Sequence, residues 1–431
     1  MALFAQAALN DGVRKREVFG WAMYDFANSG YTTVVLTAVF NVYFVGVVAE
    51  GANWATLAWT LAIGASSLVV MLTMPALGAY ADLRAAKKPL LVITTIGCVL
   101  ATIALAKAGR GDIAWAVVAI IVSNVFYAYG ESLTAAFLPE LARREALGKV
   151  SGWGWSFGYF GGMLSLGLSL GYVIWAQSQG QPATSFVPVT MLITAAVYGL
   201  ASIATFVLLR ERAQPQIASD LVATGVGAAL ARLGSTWRQA QHYRDFVWLL
   251  ACATAYQAGI SVVIALAAVY AEQVLGFKQT DTMMLVFLVN IASAVGAFAF
   301  GYWQDHIGHK PALAITLVGW IVMTALAYAA TSATLFWVAA VIAGLCMGSS
   351  QSAGRALAAL LAPAAQRAEF FGLWTFATRL SAIVGPVTYG LVTWVTSGNH
   401  RLAILSTAVF FVAGLVLLKP IDVARGAAAA K

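Results

Sequence analysis

The chain has 431 residues, 61% of them hydrophobic and only 10% charged, with a mean hydropathy of +0.83; a soluble domain carries roughly 25% charged residues, so a water-soluble enzyme is excluded. The formal charge of +8 would suggest a nucleic-acid partner in a soluble protein, but here the cations must first be placed against a bilayer. Cys98, Cys252 and Cys346 each stand alone in an apolar run, without the spacing of a disulfide scaffold or a zinc site, and read as packing residues.

The first ten residues lack the basic stretch that opens a signal peptide, and the first apolar run, 18–48, is too long for one. It reads as a spanning helix, which needs about 20 apolar residues. Runs at 54–80, 89–108, 113–138, 150–176 and 186–209 follow, each bounded by Gly, Pro or a charge. After a break come 246–271, 282–304, 311–330, 333–361, 370–396 and 402–419. The pattern predicts an all-α integral membrane protein with twelve transmembrane helices in two six-helix bundles, occupying 1–212 and 244–431. The linker, 213–243, carries Val222, Val226, Leu230, Leu233 and Trp237 at helical spacing, with Arg232 and Arg238 elsewhere. That suggests a basic helix resting on the cytoplasmic leaflet, a disordered tether being the alternative.

With the amino terminus in the cytoplasm, nineteen of the 25 lysines and arginines fall in cytoplasmic segments. Lys107, Arg110, Lys278 and Arg401 fall on the other side, and Arg355 and Arg379 lie within helices. This asymmetry predicts that both termini are cytoplasmic and removes the nucleic-acid reading.

The two halves repeat. Gly78, Asp82 and Lys87 at the end of the second helix return as Gly301, Asp305 and Lys310 at the end of the eighth, offset by 223 residues, and Pro139 returns as Pro363. Duplicated halves are the plan of many secondary transporters, with the substrate site between them. Asp82 and Asp305 lie beside Arg84, Lys87, Lys88 and Lys310, where reversible ion pairs would latch one state.

Four charges fall inside apolar spans: Asp25, Glu131, Arg355 and Arg379. Each costs roughly 2.5 to 3.5 kcal/mol at a helix centre, so four isolated ones would cost on the order of 10 kcal/mol and must be paired or face water. Asp25, Asn28, Ser29 and Thr32 form one helical stripe, and Asn124, Tyr127, Glu131 and Thr134 another. Gln351 and Ser352 lie one turn from Arg355, and Thr375 and Thr378 flank Arg379. The first half thus supplies the anions and the second the cations. The functional reading gives Arg355 a substrate carboxylate, Glu131 an amine or a coupling proton, and Asp25 with Arg379 a gating pair; the structural alternative is mutual neutralisation, Glu131 with Arg355. Tyr24, Tyr159, Gln257, Asn290 and Trp374 are further neutral candidates, each more often a packing residue. Gly154, Gly158 and Gly162 allow a close helix approach, either within a bundle or along a sliding surface between bundles.

The segment Gly154-Trp155-Ser156-Phe157-Gly158 matches the hydrolase nucleophile pattern. That chemistry needs a strand–turn–helix elbow and a histidine partner, whereas this stretch is a continuous apolar helix and all four histidines lie in expected loops. No ATP-binding loop, dinucleotide fingerprint or metal motif is present.

Gly301-Tyr-Trp-Gln-Asp305-His-Ile-Gly308-His-Lys310 resembles the loop motif of the major facilitator superfamily, Gly-x-x-x-Asp-x-x-Gly-x-Lys or Arg. The first-half copy, Gly78-Ala-Tyr-Ala-Asp82-Leu-Arg84-Ala85-Ala86-Lys87, has Ala85 in place of the second glycine, which predicts a looser turn there. A narrower resemblance lies in Trp21-Ala-Met-Tyr24-Asp25-Phe26-Ala-Asn28-Ser29-Gly30-Tyr31, Leu138-Pro139-Glu140 and Gly148-Lys-Val150-Ser151-Gly152-Trp-Gly154-Trp-Ser-Phe-Gly158-Tyr159-Phe-Gly161-Gly162. These are similar to signatures of the bacterial relatives of the fungal vacuolar amino-acid effluxer, a branch linked to autophagy in yeast.

The resemblance implies movement of an amino-acid-like solute, and the sequence as a whole is read as a non-enzymatic secondary transporter, monomeric, without cofactor or metal, in a bacterial inner membrane, working by alternating access with protons as the expected coupling ion for efflux. The alternatives are a proton-driven exporter of amphipathic compounds within the same fold and, from another class, a channel or membrane receptor.

Overall fold

The computed structural model describes residues 4–52, 54–215, 234, 235, 237–277, 279–397 and 399–430. Val222, Val226, Leu230, Arg232 and Leu233 of the expected linker helix, and the cations Lys278 and Lys431, lie outside the described residues.

Twelve helices among the described residues are long and apolar enough to cross a membrane. They are α1 (Lys15–Val48), α2 (Ala58–Arg84), α3 (Lys87–Leu105), α4 (Ile113–Leu141), α5 (Arg144–Ser178), α6 (Ala183–Leu208), α7 (Arg244–Ala265), α8 (Met284–Ile307), α9 (His309–Ala329), α10 (Ala333–Leu361), α11 (Ala364–Val395) and α12 (His400–Leu418). A short α13 (Val423–Ala429) follows. The first six form one bundle and the second six its pseudo-symmetric counterpart. The halves meet where α5 packs on α8 and α10 and where α2 packs on α11.

The helices are not uniformly α. Beyond Tyr31, α1 widens into π-helical turns at Thr32–Ala38 and again at Phe44–Val48. The run Thr32-Thr33-Val34-Val35 is β-branched, which crowds the tighter α spacing, and the Thr37 hydroxyl donates to the Thr32 carbonyl at 2.9 Å, five residues back. Pro75, Pro188 and Pro386 lie inside α2, α6 and α11, where each removes a backbone donor.

Small residues set the closest approaches, as in membrane bundles generally. A Cβ on Gly158 would meet the Ser29 hydroxyl, one on Gly162 the Thr33 hydroxyl, and one on Gly154 the Asp25–Arg355 pair. The glycine stripe of α5 therefore faces α1 in its own bundle rather than a sliding surface. The tight contacts between the bundles use other glycines. Gly152 abuts the Ala297 carbonyl of α8, and Gly78 and Gly372 bring α2 and α11 together.

Candidate functional site

Both motif aspartates reach the opposite bundle. At the end of α2, Asp82 accepts the Glu369 N–H, in the first turn of α11, at 3.0 Å. At the end of α8, Asp305 accepts the N–H groups of Gly148 and Lys149, in the first turns of α5, at 2.9 and 3.1 Å. Each carboxylate thus sits on the positive end of a helix dipole in the other half, and the end of the molecule that carries them is closed.

The expected ion pairs between these aspartates and the neighbouring cations do not form, because the cations are engaged within their own half. Lys310 donates to the carbonyls of Lys419 and Ile421 at 2.8 and 2.7 Å, and Lys88 to the Leu209 carbonyl at 2.6 Å, so each secures the end of its bundle's last helix. The Lys87 ammonium pairs with Glu140. Arg84 lies over the Tyr80 ring, 5.9 Å from its centroid. Glu211, after α6, accepts the N–H groups of Lys87 and Lys88 at 2.8 and 3.0 Å; burial pushes its carboxyl above the ordinary range while those two hydrogen bonds oppose the shift.

The turn expected to be loose is made. Ala85 adopts the left-handed conformation, φ +50° and ψ +48°, and closes α2 with its N–H on the Ala81 and Asp82 carbonyls. Its counterpart Gly308 has φ +92° and ψ +149°. Gly78 and Gly301 allow close backbone approaches between the halves at this end, against Ala368 and Gly148.

On the axis between the bundles the four in-span charges form two pairs, and the pairing corrects the expectation. Arg355 meets Asp25, not Glu131, at 2.7 Å. Its Nε donates to the Ser151 hydroxyl at 3.1 Å and its Nη2 to the Ser151 carbonyl at 2.8 Å. The guanidinium lies 4.8 Å from the centroid of a Trp21 ring and 5.1 Å from that of Trp155. Trp21 is itself fixed by its indole N–H on the Thr134 carbonyl at 2.8 Å. Arg355 comes from the second half, and all of these partners come from the first. Both side chains are nearly inaccessible, 8% for Arg355 and 11% for Asp25.

The second pair, Glu131 with Arg379, is looser. The separation is 3.4 Å, and the side chains are 41% and 15% accessible. Arg379 lies about 18 Å along α11 from Arg367, at ~1.5 Å per residue, whereas Arg355 is about 9 Å from the end of α10. Along these two helices Arg355 therefore stands nearer the closed end than Arg379, while Asp25 and Glu131 each stand ten residues from the motif end of α1 and α4. Tyr127 lies under the Arg379 guanidinium, 5.9 Å from its ring centroid, and stacks on Tyr31 at 5.2 Å, whose hydroxyl bonds Ser123 at 2.7 Å.

Gln351, one turn before Arg355, pairs its amide with Gln257 at 2.8 Å. Asn28 is buried one turn beyond Asp25. Tyr24 points away from the axis, into its own bundle, where its hydroxyl bonds Thr95 and Tyr198 at 3.1 and 3.2 Å. Sequence reasoning missed Ser151, Trp21 and Trp155 as partners of Arg355, and Glu140 as the partner of Lys87. All four stand inside the signature stretches, which was the available signal.

A duplicated twelve-helix fold whose two halves meet along a common axis is the architecture of the major facilitator superfamily. Two solved structures share the architecture over nearly their full lengths. The human organic anion transporter MFSD10 (TETRAN) superposes with a TM-score of 0.75 at 16% identity, covering 94% of this chain and 99% of that one. The proton:xylose symporter XylE superposes with a TM-score of 0.69 at 14% identity, covering 94% and 95%. At such identities the likeness is one of fold.

Within that superfamily the chain belongs to the vacuole effluxer Atg22-like family, whose model matches residues 42–431. It is 25% identical over 405 residues to the MFS-type transporter YxiO of Bacillus subtilis, covering 92% of this chain and 93% of that protein. It is 26% identical to autophagy-related protein 22-1 of Aspergillus niger, over 45% of this chain and 34% of that one. It is also 26% identical to the ectoine/proline transporter ProP of Corynebacterium glutamicum, over 70% and 60%. The Bacillus and Corynebacterium relatives are named as transporters, and no catalytic family is indicated.

Proposed function

We propose that the protein moves a small zwitterionic, amino-acid-like solute across a bacterial inner membrane by alternating access, with the motif end and both termini in the cytoplasm. The observation that carries this reading is the contrast between the two axial ion pairs. Glu131 and Arg379 are opposite charges held loosely at 3.4 Å, and Glu131 is two-fifths accessible. An ammonium on Glu131 and a carboxylate on Arg379 would replace that weak contact with two charge-assisted hydrogen bonds. Tyr127, held by its stack on Tyr31, provides the floor of the site. Arg355, assigned from sequence to the substrate carboxylate, becomes instead a pin between the halves, and Asp25 is the group whose protonation would release it.

The name of the ectoine/proline relative supports this class, since both are zwitterions. The cation asymmetry of the sequence supports the orientation, which makes the end that is shut in the state described here the cytoplasmic one.

The test is transport of labelled zwitterions by proteoliposomes with and without an imposed pH gradient. Saturable movement of at least one zwitterion, driven by the gradient and blocked by Arg379→Gln, is expected. Transport that favours purely anionic or purely cationic solutes, or that ignores Arg379, would overturn the reading.

A further inference from the structure

A chain of hydrogen bonds runs from the motif aspartate of α8 to the central ion pair. Asp305 accepts the Gly148 N–H at 2.9 Å, and the Gly148 carbonyl accepts the Ser352 hydroxyl at 3.4 Å. The Ser352 hydroxyl oxygen in turn accepts the Gln304 amide at 3.0 Å. The Ser352 carbonyl accepts the Ser151 hydroxyl at 3.0 Å, and Ser151 accepts Arg355, which ends on Asp25. Gly148 and Ser151 belong to α5 in the first half; Gln304, Asp305, Ser352 and Arg355 belong to α8 and α10 in the second. Most of the links therefore cross between the bundles.

Three further observations give this seam a role beyond packing. Ser151, Ser352 and Gln304 are all 0% exposed, so water does not replace a broken link. The Gln304 amide oxygen is buried without a partner, an expense that an apolar side chain of similar size would avoid. Gly148 lies so close to Gln304 and Asp305 that a side chain there would push the halves apart. In a dry seam, donors and acceptors lost at one end leave their neighbours poorly satisfied, so the links hold or fail together.

We propose that Ser352, with Gln304 and Ser151, is a positioning relay that makes release of the Asp25–Arg355 pair and opening of the Asp305 cap one event. The proposal rests on the alternating-access reading above. Neither aspartate touches the other; the serines and the glutamine transmit the state of one to the other.

The test is a mutant cycle on the full-length protein in lipid nanodiscs. Spin labels on Arg210→Cys and Lys419→Cys, both exposed at the closed end, report the open-to-closed ratio there, while Cys98, Cys252 and Cys346 are buried. Asp25→Asn and Asp305→Asn are made singly and together. If the relay operates, the double change opens the end less than the product of the two single effects, by about fivefold or more. In a Ser352→Ala background that discrepancy falls to within about twofold, and Ser352→Thr, which keeps the hydroxyl, restores it.

Unchanged coupling in Ser352→Ala, or failure of Ser352→Thr to restore it, would overturn the relay. Should Ser352→Ala not fold, Ser151→Ala cuts the next link and must produce the same loss. A single distance population in every variant would instead overturn alternating access itself.

Discussion

Arg355 crosses from the second bundle to Asp25 in the first at 2.7 Å, and its other polar contacts, with Ser151, also lie in the first bundle. Opening the closed end must therefore strip this arginine of its partners. Removing one member of a buried pair leaves an uncompensated charge at a cost of about 3 to 5 kcal/mol, whereas removing both is far milder. Asp25→Asn and Arg355→Gln should each lower the thermal unfolding temperature in detergent, and the double variant should recover most of the loss. A pin predicts that the recovered protein still fails to accumulate solute against a gradient. Full active transport by the double variant would reduce the pair to a brace.

Ala85 occupies a left-handed backbone position that costs a non-glycine residue roughly 1 to 2 kcal/mol. Ala85→Gly removes that strain at an entropic cost of about 0.5 to 1 kcal/mol in the unfolded chain, so it should raise stability by a few tenths to about 1 kcal/mol. Gly308 has φ +92° and ψ +149°, a region essentially reserved for glycine. Gly308→Ala should therefore destabilise by about 1 to 3 kcal/mol. Parallel thermal melts of the two variants check both signs. Equal effects would mean that the two motif turns are not distinguished by their backbone.

Arg379→Lys keeps the charge at the accessible pair but loses the planar fork, and should weaken solute binding about tenfold, through KM more than through the rate. Tyr127→Leu removes the ring beneath the guanidinium, worth about 0.5 to 2 kcal/mol, and should act in the same direction. Tyr127→Phe keeps the ring and gives up only the hydroxyl's contact with Glu131, so its effect should be smaller than that of Tyr127→Leu. Radioligand binding to the detergent-solubilised variants separates these effects from turnover.

The twelve spans and the duplicated aspartates were legible because apolar run length and an exact offset survive in one dimension. The identity of the charged residues was legible too, since a charge in an apolar span has so few physical excuses. Their pairing was not. Asp25 and Glu131 both face the axis at the same distance, ten residues, from the motif end of their helices, and what decides the arginine each meets is which second-half helix lies opposite, as α11 does for α4. The motif lysines misled for a related reason: Lys88 and Lys310 stand next to aspartates in sequence, yet their long stems reach back to the ends of α6 and α12. Ala85 misled because the chain tolerates a left-handed alanine where the surrounding helices fix the turn.

The reciprocal capping of α11 by Asp82 and of α5 by Asp305 sets the last expectation. An asparagine keeps an acceptor for the helix N–H but gives up the charge that complements the dipole, a loss of about 0.3 to 1 kcal/mol, up to about 2 in a partly buried setting. Asp82→Asn and Asp305→Asn should each therefore raise the open fraction of this end by roughly two- to thirtyfold, and Asp82→Ala, which removes the acceptor as well, by more. Neither residue contacts the Glu131–Arg379 pair, so intrinsic solute affinity should hold while the transport rate changes. The distance between spin labels on Arg210→Cys and Lys419→Cys, both exposed at the closed end, measures the opening directly, and equilibrium binding on the same preparations measures affinity. If Asp305→Asn abolished solute binding in folded protein without lengthening that distance, the carboxylates would belong to the binding site rather than to the gate.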